Sequence, residues 1–513
     1  MGGTRGPIFI LEGRKMSTIN VGIIGCGRIA DLHYPGYRNN RDARVYAVCD
    51  CDGEMMARRK KDWKAERAYA DYRELLSDPA VDAVEILTPQ LQHEDMVIDA
   101  ARAGKHIALQ KPMTIDLASA DRMLAAVRST GKVFRVTDNY LFYPPVVFAK
   151  KLIEAGEIGD PNNMRIKFIS GGSGGWAVPP SAWEWRLKES MEGRPMQTFD
   201  HGHHLWSVAS FLQGRVERVA SWIDSVDGVV DSPAVVMWKC EDGTRYGSCD
   251  YAHAADLTIP SKYYGNDEWF EVTGTRGMIL IHRCTGNVMS GPPVSVFNGK
   301  RWKHFADIKS DWSEGFIGAT RNFVAAIRGE EKPILSGEAG REMLRLDLAI
   351  QRSAMRRREV YVDELDASFP PLYAFMRRRA EIRANPRRPK RFSLFGGGNY
   401  SGYASRAVEL TEGLMERFDA GRAAGWNSVI GLHLLADGCC ADELFTLEVK
   451  DGAARLSRGA IPRDAVLVVK VQAGVWAAML LGKKRIEMAL IQGKLKLEGK
   501  AEEGLKLRDV FGL

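Results

Sequence analysis

The chain has 513 residues, 45% of them hydrophobic and 27% charged, with a formal net charge of +7. That length supports several domains with substantial cores, and the composition excludes a disordered or collagen-like chain. No apolar run approaches the roughly 20 residues of a membrane helix, and Ile8–Leu11 is too short for a secretory leader, so the expected location is the cytoplasm.

Eight Lys or Arg and one Glu fall within residues 377–391, which accounts for the whole +7 and leaves the rest of the chain neutral. The run lacks interleaved aromatics and sits in a linker-like stretch, so no nucleic-acid partner is expected. Eight scattered cysteines form no CxxC and read as reduced thiols.

In chain order, residues 1–16 read as a tail, with Met16 a second candidate start. From Ile19 the apolar runs INVGIIG, ARVYAVCD, AVEILT, HIALQ and VFRV alternate with polar, helix-favouring stretches. This alternation predicts βαβ units and a parallel sheet over residues 17–138. The first run ends in Gly25-Cys26-Gly27-Arg28-Ile29-Ala30. In such a GxGxxA turn Gly25 permits the tight bend, Gly27 lets the backbone approach a pyrophosphate, and small Ala30 lets the helix pack on its strand. Arg28 and Ile29 lie at the helix N-terminus, where phosphate is favoured. Asp50 closes the second run, 25 residues after Gly25, where a carboxylate accepts from a ribose 2′-hydroxyl. It would repel a 2′-phosphate, and Cys51 and Asp52 follow it. The expected cofactor is therefore NAD rather than NADP, unless Arg58 or Arg59 folds back.

Residues 139–365 mix alternating runs such as MRIKFI and WFEVTG with helical stretches near 144–155, 200–213, 315–328 and 338–356. They predict an α+β domain with an open, mostly antiparallel sheet. Its motif Asp200-His201-Gly202-His203-His204 puts Asp200 and His204 on one helix face. His204 is the natural proton acceptor, with Asp200 to orient it or to bind a substrate hydroxyl. The histidine spacing alone leaves zinc open. Residues 366–403, with Pro370-Pro371, the basic run and Gly396-Gly397-Gly398-Asn399, read as a linker. A third unit spans 404–513, where Trp476, Met479, Leu480, Met488 and Leu490 have the spacing of core positions.

The segments GCGRIADLH, DAVEILTPQLQH, AGKHIALQKPM, GEIGD, DHGHH and GTRGMI, in this order over residues 19–362, resemble the Gfo/Idh/MocA oxidoreductases. The resemblance implies a Rossmann domain, then an open-sheet α/β domain that builds the substrate site and often the contact of a homo-oligomer. The implied reaction is NAD-linked oxidation or reduction of a CH–OH group in a sugar, inositol, related polyol or sugar-bearing amphiphile. Lys111, Asp200 and His204 would be catalytic, and no metal is implied. Thr88, Pro89 and His93 would lie near the nicotinamide ribose, with Gln110 and Lys111 also at the cofactor. Arg186 and Tyr140 would face substrate, although Tyr140 reads equally as a packed aromatic. The family usually has glutamate where Gln110 stands, often aspartate where Ser207 stands, and a glycine-rich stretch where Gly193-Arg194-Pro195-Met196 stands. Those departures keep two alternatives open: an NAD-using lyase or glycosidase without net redox, and a non-catalytic lipid-binding or scaffold protein.

Residues 404–513 are similar to the sterol carrier protein 2 family. Trp426, LFTLEVKDGAARLS, AVLVVKVQ and the closing GVWAAMLLGKKRIEMALIQGKLKLEGKAEEGLKL carry the likeness. It implies a small α+β fold with an apolar tunnel for a sterol or acyl chain.

Overall fold

A computed structural model of the chain describes residues 18–512 apart from 39, 226–227, 368–369, 385–399 and 438–440. The expected tail, 1–16, lies outside the described residues. The chain forms two compact units, Met1–Asn385 and Pro386–Leu513.

The first unit opens with a six-stranded parallel sheet. Its strands are β1 (Ile19–Ile24), β2 (Ala43–Cys49), β3 (Arg67–Tyr69), β4 (Ala83–Ile86), β5 (His106–Gln110) and β6 (Phe134–Thr137). They lie in the order β3-β2-β1-β4-β5-β6. The order reverses between β1 and β4, where doubly wound sheets bind ligands outside their carboxyl ends. Strand β3 has three residues and begins on an arginine, too short to leave a periodic signal. Gln110 pairs with Thr137 in register, so the next residues, Lys111 and Asp138, emerge side by side.

A nine-stranded sheet follows: β7 (Pro161–Gly174), β8 (Val216–Ile223), β9 (Ala234–Cys240), β10 (Tyr246–Ile259), β11 (Asn266–Gly274), β12 (Met278–Ile281), β13 (Val294–Phe297), β14 (Trp302–Phe305) and β15 (Val360–Tyr361). Strands β7 and β10 run parallel, and the remaining pairings are antiparallel. Helices Pro144–Glu154, Gly202–Gln213 and Gly337–Arg356 bury one face through Val146, Leu205, Leu212 and Ile350. Pairing register puts Trp222, Met237, Tyr246 and Trp302 on the opposite face, where all four are exposed.

The expected linker is corrected at its start. Pro370–Ala384 is a helix, and proline is well tolerated in a first helical turn. Two of its arginines are held: Arg377 pairs with Glu217 and lies over the Tyr361 ring, and Arg378 approaches Glu359. The basic run is thus partly an anchoring helix face.

The second unit has a five-stranded sheet of β16 (Ser428–Leu435), β17 (Glu443–Lys450), β18 (Ala453–Arg458), β19 (Leu467–Gln472) and β20 (Leu495–Gly499), in the order β18-β17-β16-β19-β20. The apolar helix Ala473–Leu480 is buried along its whole length in that unit's core. Among the described residues no helix is long and apolar enough to cross a membrane.

An unexpected ionic cluster lies inside the first unit. Glu85, fully buried on β4, meets His33 Nδ1 at 2.8 Å and approaches the Arg135 guanidinium at 3.8 Å. Burial pushes the Glu85 carboxyl up, but His33 and Arg135 outweigh it and keep it ionised. Removing one partner of a buried pair strands the other charge. Glu85→Gln is expected to lower the free energy of unfolding by about 3–5 kcal/mol in urea denaturation followed by tryptophan fluorescence; a loss below about 1 kcal/mol, the range of exposed pairs, would contradict this pairing.

Candidate active site

The fingerprint turn is shaped by two glycines with different duties. Gly25 has φ +94°, and a Cβ there would come within 3.0 Å of the Leu87 carbonyl. A Cβ on Gly27 would meet no atom within 4 Å. Its outer side is open, as close approach of a pyrophosphate to this backbone requires. Ala30, fully buried, begins the helix Ala30–Arg38; Ile29 packs on the core, and Arg28 lies 5.0 Å from the Trp176 ring. The Asp50 carboxylate accepts from the N–H groups of Cys26 (2.6 Å) and Asp52 (2.9 Å), which fixes it beside the turn. Arg59 is bound to the Cys26 carbonyl (3.2 Å) and Asp31 (2.6 Å), and Arg58 pairs with Asp62. Both arginines are engaged by protein groups. The open glycine, helix N-terminus and anchored carboxylate together fit a dinucleotide.

On the nicotinamide side Thr88 and Pro89 follow β4 and are half-buried. His93 follows in the same stretch. It is fully buried, with Nε2 facing the Thr88 carbonyl at 2.8 Å and Nδ1 facing that of Met113 at 3.1 Å. It clamps the loop after β4 to the turn after β5 and leaves no ring edge for a ligand. Gln110 uses its carbonyl to receive the Lys111 N–H (2.9 Å), and its amide nitrogen faces His33 Nε2 at 3.3 Å. An amide thus bridges the two sites, its carbonyl on the Lys111 N–H and its nitrogen beside His33.

The reactive groups meet where β5 and β6 end. Lys111 Nζ donates to the Asp200 carboxylate (2.9 Å) and to its backbone carbonyl (2.8 Å). Arg186 approaches the other Asp200 oxygen at 3.6 Å and lies over the Trp185 ring. Burial raises the Asp200 pKa, but Lys111 and Arg186 outweigh it and bring it to about 2. Asp200 sits in a π-helical turn, Met196–His201, whose wider spacing shows in the Asp200 N–H bond to the Pro195 carbonyl. Such turns favour functional sites. The helix Gly202–Gln213 continues it and carries His204.

Asp200 is not the carboxylate that orients His204; Asp138 is. His204 Nδ1 lies 2.7 Å from Asp138 Oδ1, and Asp138 is fully buried at the end of β6. Burial drives the His204 pKa down to about 4 against the pull of Asp138, and Lys111 adds to the depression. At neutral pH the pair is a carboxylate and a neutral imidazole. Nδ1–H donates to Asp138, so Nε2 carries the lone pair. Tyr140 packs against this pair. Its ring stacks on His204 at 4.2 Å, it is fully buried, and its hydroxyl meets that of Thr285 at 3.0 Å.

Sequence reasoning missed several supporting residues because they come from distant segments. Besides Asp138, buried Glu189 receives Gln90 Nε2 (3.1 Å) and Arg194 (2.6 Å). Gln90 thus ties the loop after β4 to the helix Pro180–Met191 through Glu189, which the unusual Arg194 holds in place. Tyr264, half-buried, lies near Arg186 and Asp200. Among the described residues no group of three His, Cys, Asp or Glu comes together to hold a metal.

Residues 19–138 match the model of an oxidoreductase family with an NAD-binding Rossmann fold, 146–280 that of the GFO/IDH/MocA C-terminal domain, and 413–512 that of the SCP-2 sterol transfer family. The chain is 38% identical over 347 residues to the uncharacterized oxidoreductase YrbE of Bacillus subtilis, covering 65% of this chain and 94% of that protein. It is 27% identical over 355 residues to the myo-inositol 2-dehydrogenase of Thermotoga maritima, covering 68% and 99%. The crystal structure of an NAD binding oxidoreductase from Klebsiella pneumoniae superposes with a TM-score of 0.57 at 25% identity, covering 67% of this chain and 99% of that one.

Because Asp50 is fixed beside the turn and both nearby arginines are engaged, NADH is expected to bind more tightly than NADPH in fluorescence titration. Asp50→Ala should narrow the gap. Tighter binding of NADPH by the unaltered protein would refute the assignment.

Proposed function

Because the chain belongs to the Gfo/Idh/MocA family of NAD-binding oxidoreductases and ends in an SCP-2 family domain, we propose that it oxidises a secondary alcohol of a sugar or cyclic polyol at the cluster formed by Lys111, Asp138, Asp200 and His204. The carrying observation is the His204–Asp138 pair, which leaves a neutral imidazole nitrogen directed away from its carboxylate and within the field of Lys111. The similarity to an inositol dehydrogenase over nearly its whole length supports the substrate class.

His204 Nε2 takes the hydroxyl proton, and Asp138 stabilises the imidazolium as it forms. Lys111 is the donor that holds the reacting oxygen and meets its growing negative charge. Asp200 aims the lysine and, with Arg186, offers a polar edge for further hydroxyls. Gly25, Gly27 and Asp50 would hold NAD, which would supply the acceptor for the carbinol hydride.

The second unit is proposed to bind an apolar chain and serve substrates that carry one. Its match to a sterol transfer family and its wholly apolar buried helix Ala473–Leu480 support this. The separately compact unit 386–513, expressed alone, should bind a fluorescent fatty acid or sterol saturably. A folded unit that binds neither would leave it a structural role.

His204→Ala and Lys111→Ala should each lose about 10²–10⁴-fold in kcat/KM while NADH affinity stays near that of the unaltered protein. A base must be unprotonated, and His204 protonates only as pH falls through about 4. The acid limb of the oxidation should therefore lie well below the ordinary histidine value of about 6.5. A limb at that ordinary value would place the base elsewhere. Consumption of substrate without net NADH would favour elimination or glycoside cleavage over dehydrogenation.

A further inference from the structure

The proposed oxidation leaves one well-built imidazole without a task. His201 Nε2 lies 2.5 Å from Glu268 Oε1 on β11. Glu268 is fully buried and receives three more donors: Asn266 Nδ2 at 2.7 Å, Thr285 Oγ1 at 2.8 Å and the Thr285 N–H at 3.3 Å. Such a carboxylate is fixed in place and fixes its partner, as the orienting carboxylate of a catalytic histidine does. The same Thr285 hydroxyl meets Tyr140, whose ring stacks on His204. Glu268 thus braces both imidazoles through one network.

The two rings serve one space. Their centroids are 5.6 Å apart, and their planes cross at 73°. His201 is the most open of the motif's three histidines, its side chain 18% exposed against 6% for His204 and none for His203. A histidine kept only for packing would be shut in, as His203 is against Asp347. With Nε2 turned to Glu268, the other ring nitrogen of His201, Nδ1, is left to hydrogen-bond a hydroxyl.

Removing hydride from a single carbinol needs one proton acceptor. Two braced imidazoles side by side suit two hydroxyls on neighbouring carbons. We propose that His201, held by Glu268, is a specificity-determining residue that binds the hydroxyl adjacent to the one oxidised, so that the site selects vicinal diols. This rests on the polyol reading of the site and adds to it which polyols are accepted. A site built to hydrogen-bond a hydroxyl rejects analogues that lack it, because its buried polar groups are left unpaired.

The test uses the full chain loaded with NADH. Myo-inositol, scyllo-inositol and D-glucose, then cyclohexane-1,2-diol and cyclohexane-1,3-diol, are titrated while NADH fluorescence is followed. The unaltered protein should bind at least one of the three polyols and prefer the 1,2-diol to its 1,3-isomer. His201→Ala should weaken the polyol about tenfold, the loss of one hydrogen bond of typical strength, and abolish the preference between the diols, with NADH affinity unchanged. His201→Asn, which keeps a hydrogen-bonding group, should recover part of both. A preference that survives in His201→Ala, or equal weakening of both diols by that change, overturns the assignment while the polyol reading stands. If the unaltered protein binds none of the three polyols, the polyol reading falls and this assignment falls with it.

Discussion

A hydrogen bond of 2.7 Å between Asp138 and His204 joins the end of the parallel sheet to the helix that carries the histidine motif. Much of the cleft depends on it. Asp138 has no access to solvent, and a carboxylate in such a place is tolerated only when paired and hydrogen-bonded. The same Oδ1 receives the Tyr140 N–H at 3.0 Å, which sets the turn that brings Tyr140 over the His204 ring. Because Gln110 and Thr137 are register partners, Lys111 and Asp138 leave adjacent strands together. The spacing of the lysine from the oriented histidine is therefore a property of the sheet.

The motif's three histidines show why buried polar groups dictate so much here. His201 pairs with Glu268, His203 with Asp347 and His204 with Asp138. Side chains that are neighbours in sequence thus turn to β11, to the helix Gly337–Arg356 and to the end of β6. Each ring has its own carboxylate, which opposes the convergence on one point that a metal site needs. Burial then separates their duties. His203 is sealed in, His204 keeps one nitrogen off its carboxylate and within the field of Lys111, and His201 retains the most access.

The strand and helix alternation was legible because periodicity is local, and the fingerprint because glycine's role in a tight turn is local too. Asp50 was legible from its distance to Gly25. The partners of the motif were not, since Asp138, Glu268 and Asp347 lie 66, 67 and 144 residues from their histidines. Asp200 was the carboxylate nearest in sequence, and the reading let it either orient His204 or bind a substrate hydroxyl; the π-helical turn delivers it to Lys111. For His93 and Tyr140 the sequence offered a position, and packing supplied the contacts. Motif position places a residue near a site, but only packing decides whether its polar edge faces the ligand or the protein. Two apparent defects also became intelligible only in three dimensions. Gln110 reaches both His33 and the Lys111 N–H, and Arg194 holds Glu189, which in turn holds Gln90.

The charge balance of the cleft narrows the chemistry it can host. Lys111 and Arg186 are set against Asp200, and His204 is neutral because burial and the lysine's field both oppose a proton on it. In such a weakly solvated place an added charge interacts strongly with its neighbours. A neutral polyol can enter without disturbing this balance, and the negative charge that grows on its oxygen is met by Lys111. A carboxylate substrate would instead compete with Asp200 for Lys111 and Arg186, and would raise the proton affinity of His204 before reaction began. In the proposed reaction, the pairing that leaves His204 unprotonated thus also favours uncharged alcohols.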